Sequence, residues 1–113
     1  MQKLIRVVRD VTAEINALAV EAVEEGLKPR QVARRLRCIR HYYLGKLSEI
    51  SRQFLHKVPS PEIAIVQRFV DELALLAETV EEEETPEDVV QEYLGYWTNA
   101  LELQYRKVHR GRK

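Results

Sequence analysis

The chain has 113 residues, 45% hydrophobic and 32% charged, with 18 basic and 18 acidic side chains and a formal net charge of zero. That is the composition of one globular domain, and the whole-chain charge argues neither for nor against a nucleic-acid partner, so only its distribution is informative. A single cysteine excludes an internal disulfide framework, and no uncharged run approaches the ~18 residues that span a bilayer. The first residues lack the charged, apolar, small order of a signal peptide, so a cytoplasmic location is expected, or a nuclear one in a eukaryote. Glutamate and arginine dominate while asparagine occurs only at Asn16 and Asn99, a bias that fits a thermophile.

From Gln2 to Glu25, Leu4, Val8, Val11, Ile15, Leu18, Ala22 and Val23 recur at three- and four-residue steps, the pattern of a bundle helix with one buried face. Gly26 suits the left-handed conformation that closes a helix, and Pro29 suits the first turn of the next. The short link predicts antiparallel neighbours. The second helix is expected over Lys28 to Lys57, with Val32, Leu36, Ile39, Tyr43, Leu47, Ile50 and Phe54 as its apolar face. Gly45 within it is read as a point where another helix approaches closely.

Ser60-Pro61-Glu62 supplies a hydroxyl cap, a proline in the first turn and an acid at the positive end of the dipole, predicting a third helix over Pro61 to Val80. Ile63, Val66, Val70, Leu73, Leu76 and Val80 form its stripe, widened by Ile65, Phe69 and Leu75. Glu81 to Glu84 reads as a solvated turn of mutually repelling acids. Thr85-Pro86-Glu87-Asp88 then opens a fourth helix by the same cap logic, carrying Val90, Leu94, Trp97, Leu101, Tyr105 and Val108. A basic tail follows from His109 to Lys113. The expected fold is all-α, an antiparallel bundle of about four helices over residues 1–108, more than about three quarters helical.

Charge is divided sharply along this chain. Lys28 to Lys57 holds nine basic residues against the single acid Glu49, whereas Asp71 to Glu92 holds ten acids and no base. Helix two lying along helix three would satisfy part of that opposition internally; the alternative is two solvated faces of opposite sign. Arg30, Arg34, Arg37 and His41 share a helical face, and Arg35 and Lys46 an adjacent one. Together with Arg40, and with Arg106 and Arg110 toward the C-terminus, they are the candidate residues for binding a partner or nucleic acid. An acidic protein surface, including another copy of the chain, would suit the stripe as well as a phosphate backbone does.

No catalytic constellation, cofactor or metal is expected. Cys38 and His41 lie one turn apart, but zinc takes four ligands and no second cluster is evident, so both are read as structural. His56 and His109 fall near helix ends in basic surroundings, where terminal carbonyls are usual partners. Tyr93, Tyr96 and Trp97 are read as core and rim rather than as a base-stacking platform. Tyr42, Leu44 and Ile39 on helix two, and Tyr93, Trp97 and Leu103 on helix four, exceed what one small bundle buries, which predicts a dimer or hetero-oligomer.

The segment Arg37-Cys38-Ile39-Arg40-His41-Tyr42, followed by Leu47 and Ile50, resembles the long central helix of subunits of the GINS replication complex. Pro59-Ser60-Pro61-Glu62-Ile63, continuing through Phe69 to Leu76, is similar to the helix that follows it in that family. The resemblance covers about residues 29–80. It implies a non-catalytic helical subunit that assembles with sister subunits or copies of itself and helps hold or activate the replicative MCM helicase. Arg37, Tyr42, Leu47 and Ile50 would be scaffold positions. Members of this branch normally add a small strand-containing domain, whereas Thr85 to Lys113 reads as helix plus tail, which implies the helical domain alone or a minimal version of the subunit. Two other classes compete with this reading: a nucleic-acid-binding bundle acting through helix two and the tail, and a small helical enzyme with arginines between its helices.

Overall fold

The computed structural model describes residues 2–53 and 60–110; the positions expected of Phe54, His56, Lys57, Pro59, Arg112 and Lys113 lie outside them. Five helices follow in order: α1 (Gln2–Glu24), α2 (Pro29–Arg52), α3 (Pro61–Asp71), α4 (Leu73–Glu82) and α5 (Glu87–Arg110). They make the structure 89% helical, and no strand occurs among the described residues. Only Glu72 separates α3 from α4, and Glu72 N–H still donates to Arg68 O at 3.0 Å, so the pair is one rod with a break. The architecture is an all-α antiparallel bundle of four rods, 45 × 24 × 20 Å overall. α1 packs on α2 and α5, and the α3–α4 rod packs on the same two neighbours from the opposite corner.

Local chemistry accounts for the helix ends. Gly26 adopts φ +61° and Leu27 N–H reaches back to Ala22 O at 3.0 Å, closing α1 as its glycine predicted. Ser60 Oγ accepts from Glu62 N–H at 3.2 Å and caps α3. Thr85 does not repeat this: its Oγ1 is buried without a hydrogen-bond partner, and α5 begins at Glu87 after Pro86. α4 continues through Glu81 and Glu82, past the expected turn, and closes where Glu84 takes φ +48° and Thr85 N–H reaches Val80 O at 3.1 Å. Likewise α5 continues through His109 and Arg110 instead of ending as a tail.

The break at Glu72 has a visible cause. Arg40 Nε donates to Asp71 O at 3.1 Å while its Nη2 bonds the Asp71 carboxylate, so a side chain from α2 engages the carbonyl ladder where one residue falls out of helical form.

One core runs the length of the bundle, built around Leu4, Ile15, Leu18, Leu36, Leu47, Leu73, Leu94 and Leu101, all fully buried. Most expected stripe positions contribute to it, with instructive exceptions. Val23 and Leu75 are exposed, while Val7, Ala19 and Ala77 are buried. A four-rod corner covers more of α1 than its narrow stripe implies, and the break turns α4 so that Leu73, Ala77 and Val80 face inward. Ile39 and Trp97 also belong to the core, Trp97 Nε1 donating to Phe69 O at 3.0 Å. Gly45 is exposed with open space around it, so no helix approaches there.

Candidate interaction surface on α2

Arg30, Arg34, Arg35, Arg37 and Arg40, five of the six arginines of α2, fall into two groups once the helix is placed. Antiparallel packing against α1 brings Arg35 to Glu21 at 3.1 Å, and that guanidinium, hydrogen-bonding the Glu21 carboxylate, holds its pKa below the ordinary value. Antiparallel packing against the α3–α4 rod brings Arg37 to Glu81 at 3.3 Å and Arg40 to Asp71. Helix two therefore does lie along the acidic stretch, and part of the charge opposition is met inside the molecule. These pairs are partly exposed, where an ion pair contributes only about 0–1 kcal/mol.

Arg30 and Arg34 make no ion pair among the described residues. Together with Arg37, Cys38, His41 and Glu81 they line an open cleft of about 570 Å³ on the flank of α2. The helical spacing put Arg30, Arg34, Arg37 and His41 on one face, and the cleft gathers exactly that set. Cys38 and His41 are not structural as expected: both are exposed, and Cys38 is a free thiol. Glu81 escaped the sequence reading, because it was assigned to a turn; the antiparallel pairing with Arg37 was its only signal. Three guanidinium groups and one carboxylate line the cleft, which leaves it with a surplus of positive charge.

Lys46 lies away from the cleft, its Nζ 5.4 Å from the centre of the exposed Tyr42 ring, which in turn packs edge-on against Tyr43 at 4.9 Å. Both belong to a mixed-charge hollow with Lys3, Arg6, Asp10 and Glu49 from the facing ends of α1 and α2. Leu47 and Ile50 are buried in the core, whereas Arg37 and Tyr42 are surface residues.

Arg106 and Arg110 do not extend the basic face of α2. Gly26 lies against Glu87, which places the start of α5 beside the α1–α2 turn, and His109 Nδ1 lies 4.0 Å from Glu62 Oε1, which places its end beside the start of α3. The two sets of basic residues thus occupy opposite ends of a 45 Å molecule. Among the described residues no three His, Cys, Asp or Glu side chains are grouped to hold a metal, and no helix is long and apolar enough to cross a membrane.

No family model, no curated protein and no solved structure matches the chain.

Proposed function

We propose that this chain is a non-catalytic assembly subunit of a DNA-replication complex of GINS type, working through protein–protein contacts with sister subunits and the replicative helicase. The observation that carries the interaction reading is the cleft of Arg30, Arg34 and Arg37 on α2, with two of its three guanidinium groups in no ion pair among the described residues. The resemblance of Arg37 to Tyr42, Leu47 and Ile50 to the central GINS helix supplies the finer assignment. An acidic protein surface suits this cleft better than a duplex does. Glu81 of α4 sits in the cleft, with Glu78 and Glu82 on the same helix, and a phosphate backbone laid along the arginines would meet those carboxylates.

Reversing charge with Arg30→Glu and Arg34→Glu, both exposed and outside the core, tests the reading without threatening the fold. The expected result is loss of co-purifying sister subunits and MCM helicase from native extract, with weak duplex binding little changed. A chain that binds duplex DNA tightly at about 150 mM salt, where the Debye length is ~8 Å, and loses that binding on reversal is a nucleic-acid binder instead.

A further inference from the structure

Helix α5 has two apolar faces. Val90, Leu94, Trp97, Leu101 and Tyr105 turn into the core. A second set, Val89, Tyr93, Tyr96, Ala100 and Leu103, follows steps of four, three, four and three residues on an outer face, and the bundle covers it only in part, Tyr93 and Ala100 reaching the edge of the core. Tyr96 is 69% and Leu103 52% exposed, and Val89, Tyr93 and Ala100 are half-buried. The 3.5-residue period is the seam spacing of one helix packed along another, sustained over ~21 Å at 1.5 Å per residue.

The flanking charges say what covers this seam. Asp88 and Glu92 lie beside its first half, Arg106 and Arg110 beside its second, all four exposed and none in an ion pair among the described residues. We infer that a second copy of this chain docks on the outer face of α5, the two α5 helices running antiparallel about a two-fold axis near Asn99. In that register Tyr96 meets the small Ala100 of the other copy and Tyr93 meets its Leu103, so large and small side chains alternate. Glu92 faces Arg106 and Asp88 faces Arg110 across the axis, each contact occurring twice as an isologous interface requires. A parallel pair would put equivalent flanking residues on opposite sides of the seam and form neither contact. Beside the seam, Leu75 and Leu76 of α4 line a groove of about 410 Å³ with Tyr93 and Tyr96 and widen the contact from one helix to two, toward the ~800 Å² per partner of a standard interface.

This homodimer rests on the assembly reading, yet it uses a different surface, so the two fail separately: reversals on α2 leave it intact. Sedimentation equilibrium on the full chain is expected to give twice the 13.2 kDa chain mass, dissociating on dilution. Tyr96→Glu should weaken association more than about tenfold with an unchanged circular dichroism spectrum, since Tyr96 lies outside the core. Glu92→Arg and Arg106→Glu should each weaken the dimer, and the double variant E92R/R106E should restore it. A folded natural chain that stays monomeric at every concentration overturns the inference. So does a Tyr96→Glu chain that dimerises normally, and failure of the double variant to recover overturns the antiparallel register.

Discussion

Helices α2 and α5 are both 24 residues long and stand at opposite corners of the bundle, yet their outward faces are built on different plans. α2 turns arginines outward, and three of them reach neighbouring helices, Arg35 to α1, Arg37 to α4 and Arg40 to the break before α4. α5 turns an apolar seam outward, with Asp88 and Glu92 beside its start and Arg106 and Arg110 beside its end, none of the four in an ion pair among the described residues. A charged face closes on its own molecule because long guanidinium arms can reach across a groove. An apolar seam cannot reach, and is covered only by something laid along it. The contrast teaches that a charged face and an apolar face of equal length are satisfied differently by the same fold, the first in part from within the molecule and the second hardly at all.

The widest gap is expected between the two apolar faces of α5. Leu94 is fully buried, so Leu94→Ala should lower the free energy of unfolding by about 2–5 kcal/mol through lost transfer energy and the cavity left behind. Tyr96→Ala, two residues later, should change it by about 0.5 kcal/mol or less when measured at high dilution. Urea unfolding of the two variants checks both, and comparable losses would mean that the outer seam is part of the core.

A smaller difference should separate the arginines of α2. Arg40 joins a carboxylate and a main-chain carbonyl of Asp71, and Arg40→Ala should destabilise by about 1–2 kcal/mol. Arg34→Ala removes no ion pair among the described residues and should be close to neutral, within about 0.5 kcal/mol. If both prove neutral in thermal unfolding, the Asp71 contact does not hold the break in place.

These contrasts mark what the residues disclose and what they do not. Helical period and capping chemistry disclose the all-α fold, the antiparallel order and the common face of Arg30, Arg34, Arg37 and His41, because each depends on neighbours within a few residues. The break at Glu72 was hidden, since its cause is Arg40, 31 residues before its partner Asp71. For the same reason Glu81 read as turn, and Arg106 and Arg110 read as an extension of a basic face that the fold places at the other end. The outer seam of α5 was legible in principle: Val89, Tyr93, Tyr96, Ala100 and Leu103 stand at heptad spacing in the sequence. It was obscured because the inner stripe of the same helix is stronger, and only packing shows which of the two is covered.

The smallest expected effect at neutral pH distinguishes the one buried tyrosine of each helix. The Tyr43 hydroxyl on α2 lies within reach of the Glu14 carboxylate, whereas the Tyr105 hydroxyl on α5 is buried without a hydrogen-bond partner among the described residues. Tyr43→Phe should therefore destabilise by about 1 kcal/mol, while Tyr105→Phe should be neutral or slightly stabilising because it deletes an unmet polar group. Both phenols have raised pKa values, Tyr43 through burial and then Glu14, Tyr105 through burial and then the charge of Glu62. A raised folded-state pKa means that the native chain holds the proton longer than the unfolded chain, whose tyrosines titrate near ~10. The associated stability is complete below that pH and is lost as pH rises from there toward the folded-state value. The natural chain should thus lose stability above pH ~10 more steeply than Tyr43→Phe, which has no phenolic proton to release. Equal slopes for the two in urea titrations from neutral to strongly alkaline pH would show that Tyr43 ionises freely, and hence that its packing between α1 and α2 is looser than its 5% exposure implies.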